Sequence, residues 1–290
     1  MPRTFSPLRY PGGKTQLYEF INHTINLNNL NNVSYCEAFC GGSGAAISLL
    51  LSQNIESIIL NDYDKAIYSF WYAILHDTED FIAKINDIPI SMDSWHEQKN
   101  IYLTISHAPN QEYSFDLAFA TFFLNRTNRA GIITGGPIGG YAQESQYDLG
   151  CRFNKQDLIN KIKNIASQRD RIRLYNLDAV DLINTILINE NQNELFVYFD
   201  PPYYKQGKKL YKNFFDDEKH VQLSEAIRLM DDFKWIATYD NEDRIREIYD
   251  DRHIFEYRLQ YSARRTRKEK ELLFHSNVTE VESYGKVLLE

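Results

Sequence analysis

Five times along this chain, a short apolar run stops abruptly and a stretch of helical apolar spacing follows. VSYCEAFC (33–40) leads through GGSG into AAISLLLSQ, and SIILND (57–62) leads into KAIYSFWYAILH. IRLYN in the 171–176 region precedes DAVDLINTI, LFVYF (195–199) precedes DEKHVQLSEAIRLM, and KWIATYD precedes DRIREIY. Continuously apolar runs, as opposed to alternating ones, suit strands buried on both faces. Parallel neighbours need a crossover long enough to hold a helix, so β-α repetition predicts a mostly parallel sheet with helices on both faces. The last runs, IFEYRLQY and ELLFHS, are expected to close it as an antiparallel hairpin with a basic connection. This is an α/β, Rossmann-like plan.

The repetition is interrupted between the second and third runs. Residues 77–170 have helical patterns near their ends, EYSFDLAFATFFLNR and NKQDLINKIKNIASQ. Between these lies the Gly-rich polar stretch TNRAGIITGGPIGGYAQESQYDLGCRF. A connection this long is normally functional in a compact domain. The expected organisation is a core domain from 1–76 and 171–290, carrying an inserted recognition domain at 77–170.

Bulk properties narrow the class. No apolar run is long enough to span a bilayer, and MPRTFSPLRYPGG lacks the apolar segment of a signal peptide. Three cysteines without CxxC spacing and seven scattered histidines suggest reduced thiols, a cytoplasmic protein and no metal site. The net charge of -8 disfavours a polyanion over the whole surface. Local basic stretches still permit a nucleic-acid face: Lys205, Lys208, Lys209 and Lys212, then Arg264, Arg265, Arg267, Lys268 and Lys270.

The motifs sit at the ends of the strand runs. PGGKT (11–15) lacks the upstream glycine and strand of a P-loop. GGSGAAI (41–47) has Ile47 where a dinucleotide fingerprint has its third glycine. What remains is a strand, a tight glycine turn and a helix start, with Asp62 ending the next strand where a carboxylate can accept from a ribose diol. That combination suits an adenosine-containing ligand without a pyrophosphate, such as S-adenosylmethionine (AdoMet). DPPYY (200–204) is the sharpest signal. Prolines offer carbonyls without N–H donors, so Asp200 and a proline carbonyl can accept both hydrogens of an exocyclic amine. That would leave its lone pair aimed at a methyl donor. Tyr203 adds a π-face on which an unstacked base can rest.

In order, RYPGGK, EAFCGGSG, LNDYD and DPPYY resemble the Dam-type (D12 class, alpha group) DNA adenine-N6 methyltransferases. NRTNRAG, GPIGG, CRFNK and RRTRKEKELLF extend the resemblance over nearly the whole chain. It implies an AdoMet-dependent enzyme acting on a flipped-out adenine in duplex DNA, with S-adenosylhomocysteine as product and no metal. Tyr10 and Lys14 match the family's aromatic-AGGK cofactor motif, and Glu37, Phe39 and Gly41 match its EPFxGxG turn. Asp62 matches its ribose acid, Asp178 an acid near the cofactor's adenine, and Asp200, Pro201, Pro202 and Tyr203 its catalytic motif. Arg9, Arg126, Asn128, Arg129 and Gln143 are base-edge or phosphate donors, with Lys208, Arg264, Arg265 and Arg267 on the backbone. Double-stranded DNA is the implied partner, in the cytoplasm at the nucleoid, with a cognate restriction endonuclease as a second. Cytosine N4, an RNA adenine and a protein glutamine are rival amines, and a catalytically silent DNA-binding regulator is a rival of another class. Asp before PPY favours adenine.

Overall fold

In the computed structural model of the protein, the apolar runs become strands: β1 is Ser34–Glu37, β2 Ser57–Asn61, β3 Ile172–Tyr175, β4 Leu195–Phe199 and β5 Lys234–Asp240. The closing hairpin is β6 (Ile254–Gln260) and β7 (Lys268–His275). The structure describes residues 5–9, 17–108, 113–205, 215–260 and 268–290. Expectations on Tyr10, Lys14, Lys208, Arg264, Arg265 and Arg267 fall outside the described residues. Contacts group the described chain into two units, 17–62 with 177–290 and 5–9 with 63–176. The second takes in more chain than the 77–170 of the sequence pattern.

In the first unit, six strands lie in the order β2-β1-β4-β5-β7-β6. β1 runs parallel to β2 and β4, and β4 parallel to β5. β7 is antiparallel to both β5 and β6. Every residue of β4 is buried, as are the last six of β5. Because β-α-β crossovers are right-handed as a rule, the strand order calls for helix α2 (Gly44–Leu51), between β1 and β2, and the helix Asp217–Arg228, between β4 and β5, to cover opposite faces of the sheet. The chain leaves β1 toward β2, whereas β4 lies on the other side of β1. That reversal opens a crevice at the carboxyl ends of β1 and β4, where open α/β sheets bind ligands.

The second unit is mainly helical: α3 (Lys65–His76), α4 (Thr78–Asp87), α5 (Met92–Ile105), α6 (Phe115–Thr127) and α7 (Lys155–Ala166). α3 starts where Asp64 accepts from the Ala66 N–H at 2.8 Å. α6, FDLAFATFFLNRT, is buried almost all round and packs against α3 and α5. A helix apolar on every side has to be central. Its phenylalanines knit the core: Phe122 meets Phe81 and Phe153, each with ring centroids 5.4 Å apart. Among the described residues, further α-helices are α8 (Ala179–Thr185), α9 (Asp217–Arg228), α10 (Asp243–Ile248) and, near the start, α1 (Tyr18–Leu27).

Candidate active site

Strand register sets the geometry of the crevice. Glu37 is level with Leu60 on β2 and Tyr198 on β4, so Asp62 and Asp200 each lie two residues beyond it. Two strand spacings separate them, about 10 Å.

The turn after β1 is built by acids that capture backbone N–H groups. Glu37, 5% exposed, accepts from the Ala46 N–H at 2.9 Å and the Ser43 hydroxyl at 2.9 Å. Burial pushes its carboxyl up to about 7, against the two hydrogen bonds and helped by the nearby charge of Asp200. Because Glu37 takes the Ala46 N–H, the start of α2 does not offer that donor to a phosphate. Asp62 accepts from the Gly41 N–H at 2.8 Å. Gly41 has φ +45°, a left-handed conformation that suits glycine. Cys40 lies under the same turn, and burial holds its thiol well above the usual range. Asn61, 1% exposed, ties the assembly together: its amide donates to the carbonyls of Ala38 and Leu177 and accepts from the Leu177 N–H. Asp178 follows, half-buried, accepting from the Val180 N–H at 2.9 Å to cap α8. Phe39 is half-buried and meets Phe215 edge-on, 6.0 Å between centroids.

Asp200 ends β4 half-buried and accepts from the Thr238 hydroxyl at 3.0 Å. Thr238 also meets the Tyr198 hydroxyl at 2.8 Å. Pro201 is buried; Pro202 and Tyr203 are half-buried. Beyond them, Asp240 accepts from the N–H groups of Tyr204 at 2.9 Å and Lys205 at 3.0 Å. Burial raises the Asp240 carboxyl, and these two bonds pull it back. The Tyr204 hydroxyl donates to Asp217 at 3.1 Å, which is paired with Arg244. Its ring lies 5.3 Å from that of His220, whose two nitrogens have no hydrogen-bond partner among the described residues. Burial holds His220 neutral, with its pKa lowered to about 4.

Five of the residues expected to contact nucleic acid are described, Arg9, Arg126, Asn128, Arg129 and Gln143; all five belong to the helical unit, and most of their polar atoms are already engaged. Asn128 is fully buried: its oxygen accepts from Trp95 Nε1 at 2.7 Å, and its amide donates to the carbonyls of Ile132 and Ile133. Gln143 donates to the Ile138 and Gly140 carbonyls and accepts from the Leu149 N–H. Arg126 donates to the carbonyls of Arg152 and Pro7, and burial lowers its pKa to about 10. Arg9 reaches the Asn128 carbonyl at 3.3 Å. Arg129 differs: it is exposed, and among the described residues its guanidinium makes no hydrogen bond or ion pair. Gly140 lies beneath it, and a Cβ there would come within 3.4 Å of Nη2.

Sequence reasoning passed over Asn61, Thr238, Asp240, His220, Trp95 and Asn125. Asn125 at the end of α6 accepts from the Arg9 N–H and donates to the carbonyls of Arg9 and Gly131. Gly131 has to be glycine, since a Cβ would lie 2.2 Å from the Arg9 carbonyl oxygen at φ +79°. Thr238 and Asp240 did carry a signal: at i and i+2 of a strand they share one face.

Comparison with known proteins bears on what this site serves. The chain is 23% identical over 245 residues to the type II methyltransferase M.MjaIII of Methanocaldococcus jannaschii, covering 77% of this chain and 79% of that one. It is 24% identical over 260 residues to the type II methyltransferase M.CviBI of Paramecium bursaria Chlorella virus NC1A, covering 88% and 90%. Among solved structures, an rRNA methyltransferase from Streptomyces viridochromogenes overlays 93% of this chain and 88% of its own at TM-score 0.40 and 10% identity, which bears on neither substrate nor mechanism. The family model for D12 class N6 adenine-specific DNA methyltransferases matches residues 10–263. With an acid-braced glycine turn and a DPPYY strand end on adjacent parallel strands, and a family match spanning most of its length, the chain belongs to the D12 class of N6 adenine-specific DNA methyltransferases.

Proposed function

We propose that the crevice at the carboxyl ends of β1 and β4 is where this AdoMet-dependent adenine-N6 DNA methyltransferase carries out transfer. The observation that carries the reading is the meeting of Asp200 with the acid-built glycine turn at the reversal of strand order. The donor set fits AdoMet. Asp62 and Asp178 are acceptors suited to ribose and adenine, and the turn presents acids where a pyrophosphate would want N–H groups and cations. Glu37 acts through the turn it braces, Phe39 and Gly41 line that turn, and Tyr10 and Lys14 complete the set. When bound, AdoMet supplies an electrophilic methyl group.

Asp200 and a proline carbonyl of Pro201–Pro202 accept the two N6 hydrogens, so the nitrogen lone pair is directed out of the ring plane. As positive charge develops on N6, the Asp200 carboxylate stabilises it. Tyr203 provides the face on which an adenine, flipped from duplex DNA, stacks. The helical unit with its Gly-rich loop reads the target, with Arg129 the best-exposed donor. Arg9 and the basic residues Lys208, Arg264, Arg265 and Arg267 hold phosphates. Asn128, Gln143 and Arg126 serve the loop from within. The type II names of the relatives support a modification role beside a restriction endonuclease, in the cytoplasm at the nucleoid, and no metal ion is needed in this reading.

Asp200→Ala tests the assignment. Loss of a charged hydrogen bond at the transition state costs roughly two to three decades in rate. The fold should survive, because Asp200 is half-buried at a strand end. Incorporation of labelled methyl into DNA at close to the wild-type rate would remove Asp200 from the mechanism.

A further inference from the structure

The catalytic turn has few backbone groups by which anything could hold it. From Asp200 to Lys205, the two prolines carry no N–H. Only four residues of the six can donate from the backbone, and three of them follow the prolines: Tyr203, Tyr204 and Lys205. Asp240 takes two of those three, at 2.9 and 3.0 Å, with a side chain that is 7% exposed. Bonds from N–H groups to an ionised carboxylate are the strong kind.

The same strand holds the other end of the turn. β4 and β5 are in register with Phe199 opposite Ala237, so Asp200 comes level with Thr238, whose hydroxyl it accepts at 3.0 Å. Two residues on, Asp240 is level with Pro202 and reaches just past Tyr203. The neighbouring Tyr204 is committed to structure: its hydroxyl donates to Asp217, Asp217 is paired with Arg244, and its ring lies beside buried His220. Tyr203 is thus bracketed between two fixed points, both set by β5. Nothing in the chemistry of the amine requires Asp240 to touch it.

We propose that Asp240 is a positioning residue for methyl transfer, which fixes the backbone after DPPY so that Tyr203 and Asp200 keep their mutual geometry around the target adenine. The inference rests on the assignment of transfer to Asp200–Tyr203. Asn in place of Asp240 can accept only through its oxygen. Its NH₂ would face a backbone N–H, so one of the two bonds becomes a donor facing a donor.

The experiment measures single-turnover methylation of a saturating target duplex, AdoMet affinity by calorimetry and thermal melting. It also follows the fluorescence of 2-aminopurine at the target adenine. Asp240→Asn is expected to slow the methyl-transfer step about 10- to 100-fold, the penalty for displacing a reacting group by an ångström or so. It should leave AdoMet affinity unchanged, lower melting by no more than one lost buried hydrogen bond would, and alter the 2-aminopurine signal of the bound complex. Asp240→Glu, which keeps the charge with a longer reach, should show a smaller loss of the same kind and stands in if the Asn variant does not fold. A wild-type rate in either variant would overturn the proposal, as would a rate loss matched by an equal loss of AdoMet affinity. Asp200→Asn is run alongside: if it stays active the transfer site itself is misassigned, whereas a dead Asp200→Asn with an undisturbed Asp240→Asn defeats the positioning role alone.

Discussion

Two glycine-bearing turns of this protein are stitched by opposite chemistries. The one after β1 rests on the Asn61 amide but adds carboxylates to it: Glu37 takes the Ala46 N–H and Ser43 hydroxyl, and Asp62 takes the Gly41 N–H. The loop after α6 is held by neutral amides. Asn125, Asn128 and Gln143 each accept one hydrogen bond and donate two to carbonyls. An ionised carboxylate can only accept and leaves negative charge at the turn, as Asp62 does and as Glu37 does once it loses its proton near pH 7, whereas an amide satisfies donors and acceptors together and leaves none. Negative charge suits a ligand that carries hydroxyls and a cationic sulfur. It would repel a phosphate backbone. The choice of stitch therefore follows the charge of what each turn is proposed to meet.

Exchanging the two chemistries breaks the comparison most severely in the loop. Asn128→Asp should still accept from Trp95, but it would set a buried carboxylate against the Ile132 and Ile133 carbonyls. An uncompensated buried charge costs about 3–5 kcal/mol. Urea titration should show that loss, and a midpoint equal to wild type would mean the amide does not brace the loop. Asn128→Leu, which removes the charge but not the vacancy in bonding, should lose less.

The converse change in the first turn should be felt through pH. Burial raises the Glu37 carboxyl from 4.5 to about 7 in the folded state. The folded protein therefore holds a proton that the unfolded chain releases. The associated stability is fully present below about pH 4.5 and is lost as pH rises through about 7. Glu37→Gln cannot lose a proton, so its advantage over wild type should grow from nothing near pH 4.5 to at most about 3 kcal/mol above pH 7. Parallel melting-temperature profiles for the two proteins across this window would contradict the assignment.

Asp62→Asn is the mildest exchange. The amide oxygen can keep the Gly41 N–H, so the turn should stand, while the charge offered to a ribose diol disappears. AdoMet affinity should fall about tenfold, or ~1.4 kcal/mol, with melting of the ligand-free protein unchanged. Calorimetric titration decides it, and an unaltered affinity would leave Asp62 as a brace for the turn alone.

Much of this was written in local pattern. KWIATYD and LFVYF became β5 and β4 residue for residue, and KAIYSFWYAILH became α3, because apolar period and a capping acid act within a few residues. Proline and glycine chemistry likewise marked DPPYY and GGSG, since both restrict backbone conformation wherever they stand. The first run, by contrast, was expected to stay extended to Cys40 and ends at Glu37. Its turn is set by Asn61 and Asp62, more than twenty residues away in sequence.

Side-chain allegiance was decided only by the tertiary structure. Asn128 and Gln143 read as donors for base edges because an amide in a polar loop has free hydrogens on paper. In the fold those hydrogens belong to carbonyls that the loop brings beside them. Asp240 went unnoticed for the reverse reason: its partners lie 35 and 36 residues away, and only the pairing of β5 with β4 puts them within reach. Composition and period determine which segments become strand, helix or turn, since those choices are local. Which polar atom answers which is settled by register and packing, because a buried donor must take the acceptor the fold delivers.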